Sequence, residues 1–344
     1  MMKISLNEII AGEDARLKVS DNPYLETGFM GSALALFSLY KITKDNKLLN
    51  LAEDHLEMMR HTLKNKVSLE INNGLSGIGL GITWLVEEKF ISGDLNVILK
   101  EIDDMIYRYC VESISEYNPK YESTYLDILI YMAVRINYLK RECVDYPIFV
   151  RLAQMLYDHI YFNISMGFLI EPRPSNIRYK LFLFVLASWL LCRNGDSYIK
   201  RRVANVFNEI YDIIVTIHPF CAVNRFMLHI VINQILPCFN DNIEQWKEYS
   251  GCLVNDSFID QMLDETLDND MSIFHGIPYI YLLLKCSNIN IPYNVLNVIK
   301  NRIENALALY SNYEDCKKWD YIGLSGIMGT VVILEDIKLR LSHV

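Results

Sequence analysis

The chain has 344 residues, 51% of them hydrophobic, and its 33 basic and 42 acidic side chains give a formal net charge of −9. This length and apolar content suffice for a large buried core, and an acidic chain without a basic stripe argues against nucleic acid as the main partner. The longest apolar run, residues 181–191, is too short to cross a bilayer, so no membrane span is predicted.

The eight cysteines are far apart in the sequence, and no two of them form a Cys-x-x-Cys pair. A chain of this size does not depend on disulfides for its stability. Residues 1–23 form a polar lead-in without the continuous apolar core of a signal peptide. These features predict reduced thiols and a cytoplasmic location.

From residue 28 onwards, apolar helical segments alternate with amphipathic ones. The apolar helices are predicted to begin near residues 28, 74, 124, 179, 224, 275 and 323. Amphipathic partners are predicted at 48–63, 94–115, 147–163, 196–217 and 293–310, with a less defined one within 241–267. Each pair is typical of a helical hairpin with a buried inner helix and a solvent-facing outer helix.

The starts of the apolar helices recur at intervals of 45 to 55 residues, which indicates a helical repeat. Strand-like alternation and Gly/Ser-rich linkers are absent from the sequence, so residues 1–344 are predicted to form a single domain. Glycine-led copies occur near both chain ends, where an open solenoid would carry polar capping repeats. We therefore expect an all-α fold, an α/α toroid in which about seven helical hairpins form a double-layered barrel.

A glycine motif introduces several of the apolar helices. Residues 74–78 and 323–327 both read Gly-Leu-Ser-Gly-Ile, and residues 27–31 read Thr-Gly-Phe-Met-Gly. Glycine inside a helix costs roughly 1 kcal/mol relative to alanine, so the motif predicts close backbone approach at these helix starts. Gly77→Val and Gly326→Val are accordingly expected to destabilise the fold.

In a barrel with parallel inner helices, all of their N-termini lie at one end. Unpaired N–H groups and helix dipoles favour anionic or polar groups there, so we expect the binding site at that end. The predicted substrate-binding residues lie at or just before the helix starts, and they are Glu26, Asn73, Glu122, Arg178, Arg225 and Asp320. The acidic and amide side chains are equally suited to helix capping, and the arginines to salt bridges with the carboxylates.

The glycine motifs at 74–79 and 323–327, in register with the repeat, resemble those of lanthionine synthetase C-like (LanC-like) proteins. Residues 273–278, Ile-Phe-His-Gly-Ile-Pro, fall in the sixth repeat, where that family carries Cys-His-Gly. The resemblance covers nearly the whole chain and implies an α/α toroid. It also implies a zinc enzyme that adds peptide cysteine thiols to dehydroalanine or dehydrobutyrine, working beside other peptide-modifying enzymes. Zinc held by two cysteines and one histidine would lower the pKa of the thiol.

The zinc site that the resemblance implies is degenerate in this chain. His275 matches the family's histidine and is the predicted catalytic residue, but Phe274 stands in place of the neighbouring ligand cysteine. In the fifth repeat, Cys221 lies near the expected ligand position without the family's motif, and the fourth-repeat His-Gly segment is absent. No cofactor is therefore expected, unless His275 and Cys221 still hold zinc with His218 as the third ligand.

The predicted function is that of a LanC-like protein of peptide modification, with zinc-dependent activity that is altered or lost, which leaves open whether it is an enzyme. One alternative is a non-catalytic subunit that binds peptide or serves as a scaffold. Another is an α/α-barrel glycoside hydrolase, with Glu26, Glu122 and Asp127 as carboxylates facing across the barrel mouth. The identity of the peptide and the oligomeric state are not specified by these patterns.

Two further polar residues are predicted to lie in solvent. Asp103 belongs to an outer amphipathic helix, where a solvated face is the simplest interpretation. His55 is likewise expected at the surface of the second helix.

Overall fold

A computed structural model describes the protein at residues 6–63, 68–115, 118–163, 180–216, 218–239, 243–268, 270–287, 289–311 and 324–342. Within these ranges the regular secondary structure is helical and contains no strand, which confirms the predicted all-α fold class. None of the helices in these ranges is both long enough and apolar enough to cross a membrane.

The described helices, in chain order, are α1 (Leu6–Ser20), α2 (Phe29–Thr43), α3 (Asn46–Thr62), α4 (Leu75–Glu87), α5 (Leu95–Ile98), α6 (Lys100–Ser115), α7 (Glu122–Tyr138), α8 (Asp145–Asn163), α9 (Lys180–Asn194), α10 (Ser197–Ile214), α11 (Ala222–Ile235), α12 (Ile243–Cys252), α13 (Phe258–Glu265), α14 (Ile277–Cys286), α15 (Tyr293–Ser311) and α16 (Ile327–Ser342). Short 3-10 turns precede α7 (Pro119–Tyr121) and follow α11 (Leu236–Cys238). The predicted inner helices correspond to α2, α4, α7, α9, α11, α14 and α16. The largest difference in a start is four residues, at α16, which begins at Ile327 instead of residue 323.

The chain divides into two compact units. Unit 1 consists of Met1–Ser68, Asn72–Ile91 and Leu263–Val344, and unit 2 of Leu69–Ile71 and Ser92–Met262. The single toroid over residues 1–344 stays a prediction.

In unit 1, four apolar helices pack side by side in the order α4, α2, α16, α14. The amphipathic helix α3 covers α2, and α15 packs on both α14 and α16. Large side chains of α2 such as Phe29, Met30 and Leu36 are fully buried in this core. The first and last predicted inner helices are therefore neighbours, a relation that a closed arrangement of the repeats requires.

The polar lead-in predicted for residues 1–23 is wrong, because most of it forms α1. This helix packs on α16 and buries Ile10, Glu13 and Leu17. Two apolar side chains seven positions apart on one face are enough to dock the helix, although its charged residues conceal the pattern. The last inner helix thus gains a packing partner from the opposite end of the chain.

The docking of α1 also helps to bury His55 on α3. Its Nδ1 lies 3.1 Å from the Ser32 hydroxyl and its Nε2 lies 3.2 Å from Oδ1 of Asp14 on α1. His55 is only 1% exposed, so the prediction of a surface histidine is wrong. The Phe29 ring packs edge-on against the imidazole at 5.7 Å between centroids.

In unit 2, α9 packs between α7 and α11. The apolar run 181–191 lies in α9, where Leu181, Val185 and Leu191 are fully buried, as expected for a core helix. Amphipathic helices cover this layer: α8 packs on α7, α10 on α9 and α12 on α11.

A buried ion pair joins α6 to α7. Nη2 of Arg135 donates to Asp103 at 2.8 Å, and the Tyr131 hydroxyl donates to the same carboxylate at 2.5 Å. Arg135 is fully buried and Asp103 is 8% exposed, so the prediction of a solvated Asp103 is wrong. A buried guanidinium on α7 needs an anionic partner, and α6 turns Asp103 towards it.

Candidate functional site

One loop design recurs before three apolar helices of unit 1. The amide of the first helical residue donates to the carbonyl oxygen seven positions earlier in the sequence. The pairs are Phe29 with Asn22 at 2.8 Å, Leu75 with Ser68 at 2.9 Å, and Ile277 with Asp270 at 3.0 Å. Each loop therefore closes on the N-terminus of its own helix and satisfies one of the unpaired N–H groups there.

Glycine is the N-terminal cap residue in all three loops, at Gly28, Gly74 and Gly276, and none of them offers a capping side chain. A Cβ on Gly276 would lie 2.1 Å from the Asp270 carbonyl oxygen. A Cβ on Gly28 would lie 2.4 Å from the Asn22 carbonyl oxygen. The close backbone approach predicted from the glycine motif is present at these helix starts, since both distances exclude a side chain.

In the loop before α14, the Asp270 side chain makes two bonds. Its Oδ1 accepts the Ser272 amide at 3.0 Å, and its Oδ2 lies 2.8 Å from Nδ1 of His275. The imidazole is 38% exposed and the carboxylate 25% exposed. Because Nδ1 is engaged, Nε2 is the nitrogen left for a ligand, and the carboxylate of Asp270 orients the ring.

The loop before α2 has the same two bonds at the same positions. Oδ1 of Asn22 accepts the Tyr24 amide at 3.0 Å, and Nδ2 of Asn22 donates to the Thr27 hydroxyl at 2.9 Å. His275 therefore occupies the position of Thr27 in a repeated loop. The bond between His275 and Asp270 therefore also closes the loop before α14, as the Asn22–Thr27 bond closes the loop before α2.

Glu26 connects three helix starts in unit 1. Its amide donates to the Asn72 carbonyl oxygen at 3.0 Å, and its carboxylate accepts the Asn73 amide group at 3.3 Å. Its carbonyl oxygen accepts the Ser325 amide at 3.0 Å. The predicted site residues Glu26 and Asn73 are thus in direct contact, at the starts of α2 and α4.

The loop with His275 joins the same part of unit 1 through α16. The Thr330 hydroxyl donates to the Met271 carbonyl oxygen, and a Cβ on Gly329 would lie 2.8 Å from the Ile273 side chain. The starts of α4, α2, α16 and α14 therefore adjoin one another, and we call them the helix-start edge of unit 1. Glu26, Asn73 and His275 all belong to this edge.

Two predicted site residues of unit 2 are held within that unit. Nη1 of Arg225 donates to the carbonyl oxygens of Pro219, at 3.2 Å, and Phe220, while Nη2 donates to Gln261 at 2.9 Å. The guanidinium thereby supports the loop that precedes α11, and its cost near a helix N-terminus is offset by carbonyl dipoles. Glu122 begins α7 and is 9% exposed.

Asp127, a candidate carboxylate for glycoside hydrolysis, is only 1% exposed. Its Oδ2 accepts the Ile71 amide at 3.0 Å within unit 2. This bond gives Asp127 a role in holding the loop that contains Ile71.

The residues proposed as metal ligands belong to different units. Cys221 is the half-buried N-cap of α11 in unit 2, His218 is exposed in the same unit, and His275 belongs to unit 1. Phe274, beside His275, carries no ligand atom. In the described part of the chain, no group of three or more His, Cys, Asp or Glu side chains is placed to hold a metal ion. Among the described residues of unit 1, the donors around His275 do not fit the three-ligand zinc site that the resemblance implies.

Arg178 and Asp320, the remaining predicted site residues, lie outside the described residues. The sequence interpretation missed the pairing of Asp270 with His275. The signal was present, since Asn22, Thr27 and Gly28 have the same spacing as Asp270, His275 and Gly276.

No protein family model matches this sequence, and no curated protein sequence matches it either. The resemblance to LanC-like proteins stays a prediction from the glycine motifs.

Proposed function

We propose that this chain is a LanC-like protein of peptide modification that binds its peptide at the helix-start edge of unit 1. Its zinc-dependent thioether-forming activity is altered or lost. The observation that carries this proposal is the bond between Nδ1 of His275 and Asp270, which holds a partly exposed imidazole beside a helix N-terminus.

The chemistry of the edge suits a peptide. The first three N–H groups of α2 donate to loop carbonyl oxygens. The four adjoining helix starts therefore favour carbonyl or carboxylate groups through their positive dipole ends. Glu26 and Asn73 add an acceptor and an amide, and Nε2 of His275 adds a nitrogen that can donate or accept a proton. Peptide backbones and side chains need such a mixture of partners.

The alteration of the zinc chemistry follows from the residues at the site. A catalytic zinc needs three protein ligands, and Phe274 removes the one that should adjoin His275. The imidazole with its carboxylate can still hold a peptide carboxylate or thiol, or move a proton.

A non-catalytic peptide-binding or scaffold subunit is the second candidate, and a specific observation favours it. The Asn22–Thr27 bridge shows that the same loop closes without a histidine. His275 can therefore serve the loop alone, in a protein that binds a peptide without reacting with it.

The experiment uses the full chain, purified without chelator, and a peptide that contains one cysteine and one dehydroalanine. Metal analysis before and after zinc addition gives the zinc content, calorimetry gives the affinity, and mass spectrometry after thiol alkylation detects ring closure. We expect measurable binding with less than one zinc per chain. Stoichiometric zinc together with rapid ring closure would contradict altered or lost activity, and no binding of the peptide would overturn the peptide-binding proposal.

The loop before α2 supplies a matched control. The double variant Asp270→Asn/His275→Thr copies the Asn22–Thr27 bridge, so it removes the imidazole while keeping the loop closed. We expect an unchanged melting temperature and peptide affinity that falls about tenfold, as for a lost hydrogen bond to a polar ligand group. An unchanged affinity would assign His275 to the loop alone. Slow ring closure that this variant abolishes would favour an altered enzyme over the scaffold.

A further inference from the structure

Two thiols of unit 2 lie next to each other, although they are far apart in the sequence. Cys192 is in the last turn of α9, and Cys238 ends the 3-10 turn after α11, which packs against α9. The two thiol side chains interact with each other and line the same cavity. Cys192 is 2% exposed, whereas Cys238 is partly exposed.

Both thiols line one cavity of about 530 Å³. Lys200 and Arg201, from the first turns of α10, also line it, and they are the charged groups among its described lining residues. Asn205 and Asn208 add polar amides to the wall. The cavity therefore presents two sulfur atoms to a polar and cationic space.

The two thiols differ in acidity. The interaction with Cys192, together with the charge of Lys200, lowers the pKa of Cys238 to about 7 despite its partial burial. The same interaction and burial raise the pKa of Cys192 well above its usual range. Cys238 is thus the thiolate that can attack first, and Cys192 is the protonated thiol behind it.

We propose that Cys192 and Cys238 form a redox-active dithiol that reacts with small disulfides carrying carboxylates, a site separate from the proposed peptide function. The geometry places a partly exposed sulfur and a buried sulfur in the wall of one cavity, and Lys200 and Arg201 attract an anionic reactant into it. A disulfide that carries ammonium groups is repelled by these two cationic side chains.

The reaction has two steps. The Cys238 thiolate attacks one sulfur of the disulfide R–S–S–R, whose S–S bond breaks to give a mixed disulfide on Cys238 and release RS⁻. Cys192 then gives its proton to the released RS⁻ and attacks the Cys238 sulfur. This attack displaces the second RS⁻, which takes a proton from water, and forms the Cys192–Cys238 disulfide. The protein loses two electrons, and the external disulfide gains them as two thiols.

Other thiols of the described chain provide contrasts. Burial raises the pKa of Cys110 to about 12, so this thiol is expected to be unreactive. Cys252 is exposed, and no described thiol is hydrogen-bonded to it, so it can form a mixed disulfide but not resolve it. Cys252 is therefore the matched control for exposure without a partner.

The test treats the reduced full chain with glutathione disulfide, which is anionic, or cystamine, which is cationic, and maps every cysteine by mass spectrometry over time. In the unaltered chain we expect Cys238 to react at least about tenfold faster than Cys252 with glutathione disulfide. The end product should be the Cys192–Cys238 disulfide. Cys192→Ser should trap glutathione on Cys238, and Cys252→Ser should change neither outcome.

The charge of the reactant gives the second measurement. Glutathione disulfide should react with Cys238 faster than cystamine, and Lys200→Gln/Arg201→Gln should remove that difference. The proposal is overturned if oxidised protein lacks the Cys192–Cys238 disulfide, or if Cys238 reacts no faster than Cys252. These two outcomes are read from the unaltered chain, so a variant that fails to fold does not affect them.

Discussion

The carbonyl oxygen of Glu26 accepts two hydrogen bonds from Ser325, one from its amide at 3.0 Å and one from its hydroxyl at 2.9 Å. These bonds join the loop before the first inner helix to the start of the last one. Ser325 is 3% exposed, so its polar groups depend on these partners rather than on water. The contact between the two ends of the chain in unit 1 is therefore specific, and it rests on main-chain geometry as well as on apolar packing.

Ser325→Ala removes the hydroxyl bond and leaves the amide bond in place. We expect the free energy of unfolding to fall by about 1 kcal/mol, as for other intramolecular hydrogen bonds in buried positions. Urea unfolding of both proteins measures the difference. The control is Glu26→Ala, which keeps the carbonyl oxygen and should cost less than about 0.5 kcal/mol, since it removes a bond to the exposed Asn73. A larger loss in Glu26→Ala than in Ser325→Ala would contradict this account.

Gly31→Val tests the close packing between α2 and the start of α16. A Cβ on Gly31 would lie 1.9 Å from the Leu25 carbonyl oxygen and 2.8 Å from the Leu324 amide nitrogen. Both neighbours are backbone atoms, so the helices must separate, and we expect a loss of more than about 2 kcal/mol. Gly12→Ala, with no atom within 4 Å of its Cβ, should instead stabilise α1 by about 0.5–1 kcal/mol. Equal melting temperatures for the two variants would exclude close packing at Gly31.

The ion pair between Asp103 and Arg135 predicts strong coupling in unit 2. Asp103→Leu leaves a fully buried guanidinium without its carboxylate and should cost about 3–5 kcal/mol. Adding Arg135→Met removes the uncompensated charge, so the double variant should recover much of the loss. Denaturant unfolding of the two single variants and the double variant gives the coupling energy. Losses that simply add would show that the pair does not act as a unit.

His55 predicts a dependence of stability on pH. Burial is the main cause that lowers its pKa below the usual 6.5, and the Asp14 carboxylate opposes this shift. Below about pH 6.5 the unfolded chain binds a proton at His55 more readily than the folded chain does. The contribution of His55 is therefore fully present above this pH and is lost as the pH falls through the lower folded pKa, by at most about 1.4 kcal/mol per pH unit.

His55→Gln should remove this part of the pH dependence. Unfolding free energies of both proteins between about pH 5 and pH 7.5 measure it, because His55 titrates there in the unfolded chain. Asp14 does not interfere, since its pKa is lowered from 3.8 and its contribution is lost only in more acidic solution. Parallel curves for the two proteins would show that His55 titrates alike in the folded and unfolded states.

The sequence by itself determined the helical class and the positions of the inner helices. The apolar segments are long, periodic and punctuated by glycine, and such local signals are fixed by backbone conformation and by burial of one face. The starts of α2 and α4 were predicted within one residue, because Gly28 and Gly74 mark the caps directly. The resemblance to LanC-like proteins and the function drawn from it stay predictions, as does the closed ring of seven hairpins.

Only the tertiary structure decided which polar groups are partners. His55, Asp103 and α1 were misjudged because burial of a charged residue depends on an element far away in the chain, and hydrophobic periodicity does not report it. The proximity of Cys192 and Cys238 could not be predicted for the same reason, because it depends on the packing of the Leu236–Cys238 turn against α9. Local patterns specify helices, whereas the pairing of side chains across helices depends on how those helices pack.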